Sequence, residues 1–145
     1  MSQKSILIIV LMCLAFAKAY SQDITGTWKT IDDESGEVKS HVEIYKRGDQ
    51  FYGKVKKILD PAAPKEALCV ACKGNLKDAP ILGLEIIKDL KKKGSSYKDG
   101  TILDPENGKE YDCKIWLDPN NADKLNVRGY VLFFYRTQVW ERVIP

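Results

Sequence analysis

The chain has 145 residues, of which 44% are hydrophobic, enough for one folded domain with a core of its own. Its formal net charge of +3 gives no reason to expect a nucleic-acid partner. No apolar run reaches the roughly 20 residues that a membrane-spanning helix needs, so we predict no transmembrane segment.

The first nineteen residues have the pattern of a secretory signal peptide. Lys4 precedes an apolar run of eleven residues from Ile6 to Phe16, and Ala17-Lys18-Ala19 is a small-x-small cleavage pattern. An alternative is lipidation at Cys13, but Met12 stands where such sites want a small residue. We therefore predict cleavage after Ala19.

Cleavage leaves a single predicted domain at 20–145 in a periplasmic or secreted protein. Because Lys4 and Lys18 are removed and no acidic residue is, the net charge falls from +3 to +1. Disulfides persist in such compartments.

From Gly26 onward most apolar residues alternate with polar ones, as in half-buried strands. Clusters of Asp, Asn, Gly and Pro separate the segments. Residues 81–93 fit a helical stripe nearly as well as a bulged strand, and Gly83 with the absence of a cap favours the strand. The predicted strands are 26–32, 38–46, 51–59, 81–93, 97–103, 109–117, 124–132 and 136–143.

Three of these strands end in the same dipeptide, at Asp60-Pro61, Asp104-Pro105 and Asp118-Pro119. Asp at the first position of a type I turn bonds the turn backbone, and Pro at the second presets φ. We interpret these carboxylates as strand terminators.

Eight strands with short connections and no periodic helix predict an all-β fold, an antiparallel up-and-down barrel or a two-sheet clam. Trp28 lies at the start of the first predicted strand and Arg142 near the end of the last. An indole can plug one end of a barrel, and a guanidinium can stack on its face. We predict that Trp28 and Arg142 close the barrel.

After cleavage three cysteines remain: Cys69 and Cys72 in a long irregular loop at 61–80, and Cys113 on the core face of its strand. A redox pair would need a helix N-terminus, and a zinc site would have to be completed by Cys113 and His41. We favour one structural disulfide plus one free thiol. The partners are Cys69 with Cys72, or one of these with Cys113.

The chain offers little for catalysis. Its single histidine, His41, shares a predicted solvent-facing strand surface with Lys39 and Glu43, away from a nucleophile. The pair Asp32-Asp33 lies in a turn, where no burial is expected to raise a pKa. We predict no enzymatic activity, no catalytic residue, no cofactor and no metal ion.

The run Tyr130 to Tyr135 abandons alternation, which places apolar side chains at a barrel mouth or buries them from both sides. Arg128 is either an outward strand residue or a buried cation that pairs with an acid or meets a ligand carboxylate through a bidentate contact. The predicted ligand-binding residues are Arg128, Tyr130, Phe133, Phe134 and Tyr45.

We predict a non-catalytic barrel that binds one small apolar or amphiphilic ligand. The alternative is a solidly packed barrel that acts as a protein- or envelope-interaction module through 61–80 or through Leu132–Tyr135. An internal apolar cavity would favour the first hypothesis, and a filled interior the second.

Seven blocks in order carry a resemblance to the bacterial secreted family catalogued as domain of unknown function 2147. They are Gly26-x-Trp28-x-Thr30-x-Asp32-Asp33, Tyr52-Gly53, Cys69-x-x-Cys72-x-Gly74, Pro80-Ile81-x-Gly83, Gly100-x-Ile102-x-Asp104-Pro105-x-x-Gly108-Lys109-x-Tyr111, Leu125-x-Val127-Arg128-Gly129-Tyr130 and Arg136-Thr137-Gln138-x-Trp140-x-Arg142. The resemblance implies an exported single domain and no particular activity. Because Cys69 and Cys72 share one block, it also favours their pairing.

A looser similarity, through Gly26-x-Trp28 and a closing Arg, is to the lipocalin and fatty-acid-binding superfamily. After Gly129-Tyr130 the chain carries Leu132-Phe133-Phe134-Tyr135, where the bacterial family is richer in glycine.

Overall fold

A computed structural model describes residues 22–145. The predicted signal peptide at 1–19, its cleavage site and Cys13 lie outside the described residues. The strands are β1 (Gly26–Ile31), β2 (Val38–Arg47), β3 (Gln50–Ile58), β4 (Glu85–Lys93), β5 (Ser96–Asp104), β6 (Lys109–Asp118), β7 (Asn121–Val131) and β8 (Phe134–Arg142), with one 3-10 turn at Gly74–Leu76.

The eight strands form a closed antiparallel barrel in chain order, which confirms the predicted fold. Segment 81–93, ambiguous in sequence, contributes strand β4. The barrel closes where β1 meets β8, with Trp28 opposite Arg142 and Lys29 opposite Glu141. In the described part of the chain, no helix is long and apolar enough to cross a membrane.

Strand β4 begins at Glu85 rather than 81, and two strands begin two or more residues earlier than predicted. β7 starts at Asn121 rather than 124, because Asp118 already pairs with Asn121 across the β6–β7 turn. β8 starts at Phe134 rather than 136, because Val131 pairs with Phe134. The ladder thus continues into stretches that looked like turns, leaving Leu132 and Phe133 as the β7–β8 connection.

The two ends of the barrel differ. The segments that follow β1, β3, β5 and β7 lie at what we call the loop end: residues 32–37, 59–84, 105–108 and 132–133. The opposite end, called the plug end, carries short turns and the segment that precedes β1.

Each Asp-Pro strand ending caps its turn, since Asp60, Asp104 and Asp118 accept hydrogen bonds from backbone amides two residues on.

Large apolar side chains fill the barrel interior from the plug end upward. They are almost completely buried and belong to one continuous core: Trp28, Ile44, Phe51, Leu90, Tyr97, Ile115, Leu125 and Trp140. The plug-end half of the barrel therefore has a packed centre. At the loop end the cysteine loop, residues 59–84, belongs to the same buried cluster through Cys69, Cys72 and Leu84.

The plug itself is Trp28 with Arg142. The guanidinium carbon of Arg142 lies 4.2 Å from the Trp28 ring centroid, and the Trp28 indole donates a 2.9 Å hydrogen bond to the Ile24 carbonyl. Arg142 donates to the carbonyls of Thr25 (2.9 Å), Asp23 (3.2 Å) and Ala122 (3.2 Å). Its Nε lies 3.2 Å from Asp123 Oδ1, without hydrogen-bond geometry.

Candidate binding site at the loop end of the barrel

Strand register places a different set of side chains inside the loop-end half. Thr30 and Ser40 lie opposite each other on the inward face of β1 and β2, and their hydroxyl oxygens are 2.8 Å apart. Gly129 and Arg136 form the corresponding inward pair of β7 and β8. Ser40 and Gly129 are half-buried rather than fully buried. The interior therefore changes from packed and apolar at the plug end to polar and partly accessible at the loop end.

A chain of polar contacts leads from the core to the rim. The Trp140 indole donates a 3.0 Å hydrogen bond to Gln138 Oε1, and Gln138 Nε2 donates to Asp33 Oδ1 at 3.4 Å. Arg136 Nε lies 2.8 Å from both carboxylate oxygens of Asp33, and its Nη2 also bonds Asp33. An ion pair thus ties β8 to the β1–β2 loop.

Hydrogen bonds keep the two carboxyl groups at this rim, Asp33 and Asp32, in their ionised form. The hydrogen bond from Arg136 lowers the pKa of Asp33, and hydrogen bonds from Ser35 lower the pKa of Asp32. Both carboxyl groups are ionised at neutral pH, so neither is suited to act as a general acid. The sequence pattern showed Asp33 as a turn residue but gave no sign of a partner 103 residues away.

Arg128, a predicted ligand contact, lies on the outer wall of the barrel. Its guanidinium carbon is 4.0 Å from the Tyr135 ring centroid and 4.9 Å from that of Trp116, and its Nε donates a 2.8 Å hydrogen bond to Thr137. Tyr130 lies on the same outer face, with its ring centroid 6.2 Å from that of Tyr135. Neither side chain reaches the interior.

Phe133 and Phe134 lie at the β7–β8 connection. The side chains from Leu132 to Tyr135 are 91%, 96%, 77% and 62% exposed in chain order, and Val131 before them is half exposed. The broken alternation thus corresponds to an exposed apolar hairpin tip. We call Leu132–Tyr135 the aromatic tip.

Tyr45 is apart from the other predicted ligand contacts. It lies on the outer face of β2, where its ring stacks with that of Tyr52 and its hydroxyl bonds Glu85. Burial, with Glu85, raises the pKa of Tyr45 to about 12. Strand register therefore divides the five predicted ligand contacts between two parts of the outer wall and the aromatic tip.

The disulfide joins Cys69 to Cys72, as the family resemblance favoured. The bridge occupies both thiols, so this form of the chain offers them neither to a metal ion nor as a nucleophile. Within residues 22–145 no group of three or more His, Cys, Asp or Glu side chains is placed to hold a metal ion.

His41 is half-buried rather than exposed as predicted, because β2 pairs with a neighbour on each side there. Burial lowers its pKa, and Lys57 and Lys29 lower it further.

Cys113 is a free, buried thiol, and burial raises its pKa to about 12. The ordinary value is 9.0, so between these values the unfolded chain loses this proton and the folded one keeps it. We expect the free energy of unfolding to decrease as pH rises from 9 to 12, by roughly 1.4 kcal/mol per pH unit from this group. Urea unfolding across that range measures the slope.

Cys113→Ala is the control for this pH dependence. It lacks the titrating thiol, so its slope in the same range should be shallower than that of the unchanged protein. Equal slopes in the two proteins would contradict the assignment to Cys113.

An open cleft lies on the outer surface of the barrel at the plug end. Its volume is about 400 Å³, and its lining includes Lys29, Asp123, Lys124 and Glu141. These charged side chains do not suit an apolar ligand.

Comparison with known proteins agrees with this architecture. Residues 26–142 match the model of a family described as uncharacterized protein conserved in bacteria, DUF2147. The chain belongs to the DUF2147 family. No curated protein sequence matches it.

Among solved structures, this DUF2147 chain is similar to a protein from Helicobacter pylori described as "Protein HP1028 from the human pathogen Helicobacter pylori belongs to the lipocalin family". The TM-score is 0.71 at 21% sequence identity, over 84% of each chain. At this identity the similarity establishes the lipocalin-like fold of the DUF2147 barrel.

Proposed function

We propose that this chain is an exported, non-catalytic binding protein that takes one small amphiphilic ligand at the loop end of its barrel. The observation that carries the proposal is the partly accessible inward face at that end, above a packed core. An eight-stranded barrel can hold one small ligand, and the filled plug-end half leaves the loop-end half for it.

The loop-end interior offers both apolar wall and polar contacts. A Cβ built at Gly129 would make ordinary contacts, 3.6 Å from the Tyr111 Cβ and 3.9 Å from the Ile102 Cγ2, so only a side chain larger than alanine would extend further into the interior. The Thr30 and Ser40 hydroxyls are nearby polar contacts. At the rim Arg136 is already paired with Asp33, and its Nη2 lies 3.8 Å from Asp32 Oδ2 and 3.9 Å from Glu34 Oε1. This combination favours an amphiphile with an apolar chain and an uncharged polar head group.

The absence of catalysis is supported by where the reactive groups lie. Asp33 is held ionised by Arg136, and Cys113 is buried in the core with a raised pKa. His41 lies on the outer wall between two lysines. The disulfide and the predicted signal peptide support export.

Native mass spectrometry with dodecanoic acid and with dodecanol tests the proposal. We expect a one-to-one adduct with the alcohol and a weaker one with the acid, because the carboxylate of the acid would meet Asp32, Asp33 and Glu34 around Arg136. Gly129→Leu should abolish the adduct by filling the space. Gly129→Ala is the matched control and should bind normally, since its added Cβ makes ordinary contacts.

The outcome that would defeat the proposal is equally plain. If neither compound binds, or if Gly129→Leu binds as well as Gly129→Ala while both remain folded, the ligand site is not at the loop end. Thermal unfolding of each variant establishes that it is folded.

A second candidate, an interaction module with a working surface at the loop end, is favoured by the exposed aromatic tip. The cysteine loop also exposes Leu68 and Val70 there, but it is tied down by the disulfide and packed on the core.

A further inference from the structure

The aromatic tip is built against the local preferences of its own turn. β7 reverses into β8 through Leu132 and Phe133, and Leu132 has a φ of 52°. Two-residue hairpins place glycine, asparagine or aspartate at such positions, and a leucine there is strained. Leucine does not stabilise this turn. We therefore infer that its exposed side chain serves a function, such as contact with a partner.

Behind the tip, the outer wall of the barrel carries two cations side by side. Lys114 on β6 lies directly opposite Arg128 on β7, and both are stacked over the Trp116 ring, at 5.3 Å and 4.9 Å from its centroid. Neither forms an ion pair with an acidic side chain among the described residues. Asp112, on the same face of β6, is likewise unpaired with them.

Like charges directly opposite each other destabilise a strand pair, and an anion placed between Lys114 and Arg128 would relieve that repulsion. Arg128 is four residues from Leu132, so the cations lie roughly 13 Å from the end of the tip along the strand. Apolar elements that bind membrane surfaces enter roughly 5 to 10 Å into the boundary between head groups and acyl chains. The two cations would therefore stand at the level of lipid phosphates.

We propose that the aromatic tip docks this protein on an anionic lipid surface. The side chains of Leu132 and Phe133 enter the interfacial region, Tyr135 lies at the head groups where aromatic residues are favoured, and Arg128 with Lys114 contacts phosphate. Asp32, Asp33 and Glu34 surround Arg136 at the same end of the barrel, but strand β8 separates the β1–β2 loop from Arg128 and Lys114. The projecting tip with these two cations behind it therefore suits a soft anionic surface.

This docking does not depend on a ligand in the barrel. It would, however, bring the proposed ligand site at the loop end close to the lipids of the membrane. The test is co-sedimentation of the exported protein with vesicles of phosphatidylcholine mixed with phosphatidylglycerol, compared with phosphatidylcholine alone. We expect binding to the mixed vesicles that added salt weakens, and a loss of roughly tenfold in affinity for Phe133→Ser.

Leu132→Gly is the most discriminating variant. Glycine suits a φ of 52°, so the protein should fold at least as well as before while its vesicle affinity falls about as far as that of Phe133→Ser. Ile144→Ser is the matched control, because Ile144 is 71% exposed but belongs to the C-terminal segment at the plug end. Its vesicle binding should not change. Arg128→Gln with Lys114→Gln should remove the preference for anionic vesicles.

Three results would overturn the proposal: no binding to mixed vesicles, equal binding by Leu132→Gly, or an equal loss in Ile144→Ser. A fourth result would come from sedimentation velocity without lipid. If the protein is a dimer and Phe133→Ser makes it a monomer, the tip binds a second copy of the chain rather than a membrane. The dodecanoic acid experiment contains no vesicles, so the failure of one proposal is distinguishable from failure of the other.

Discussion

Arg142→Ala should cost about 2 to 3 kcal/mol of stability, because hydrogen bonds from a charged donor each contribute about 1.5 to 3 kcal/mol. The substitution deletes hydrogen bonds to the carbonyls of Thr25, Asp23 and Ala122 and uncovers the face of Trp28. Partly buried carbonyls that lose a charged donor retain part of their desolvation cost. Because a small domain has about 5 to 15 kcal/mol in total, urea unfolding should show a large fall in midpoint.

Two further variants separate the causes. Arg142→Lys keeps the charge but has no planar fork to reach several carbonyls, so it should lose roughly half as much. Arg136→Ala on the same strand removes the exposed ion pair with Asp33 and should cost below about 1 kcal/mol. If Arg136→Ala proved as damaging as Arg142→Ala, the plug would not be the main source of stability at the β1–β8 junction.

Gly108→Ala is the second change with a large expected effect. A Cβ at this position would lie 1.9 Å from the Ala71 carbonyl oxygen and 2.8 Å from the Cys72 nitrogen, both backbone atoms of the cysteine loop. Backbone cannot move aside as a side-chain end can, so the loop must leave the β5–β6 turn. We expect a loss above about 3 kcal/mol, with rapid proteolysis inside 61–80.

Gly94→Ala is the matched control for Gly108→Ala. Gly94 occupies the β4–β5 turn with a φ of 64°, close to the 71° of Gly108, but a Cβ there would meet nothing within 4 Å. Its cost should be about 1 kcal/mol, from the backbone conformation alone. Similar losses in the two variants would mean that φ, and not contact with the cysteine loop, explains the requirement for glycine.

The barrel was predictable because its signals are local. Alternation over each strand and turn residues between strands define the up-and-down order without any knowledge of long-range contacts. Segment 81–93 was the ambiguous one, because the positive φ of Asp89 marks an irregularity that shifts the apolar pattern away from period two.

The candidate site was less predictable, because it depends on register. A one-residue difference in pairing moves a side chain from inside to outside. Register therefore decides that Arg128 and Tyr130 face outward, which the sequence alone left open. The pair Arg136–Asp33 joins strand β8 to the β1–β2 loop across 103 residues and could not be inferred from spacing. The exposure of Phe133, by contrast, follows from the broken alternation around it.

The seam of the barrel has a consequence for the order of folding. Trp28 meets Arg142 and Lys29 meets Glu141 at this junction, and the Arg142 contact to Thr25 spans 117 residues. Loop closure over such a distance is entropically the most expensive contact in the chain. A polypeptide that emerges N-terminus first carries β1 without its second neighbour until β8 arrives, so the barrel cannot close early. The unclosed chain can therefore remain extended enough for export across a membrane until synthesis ends.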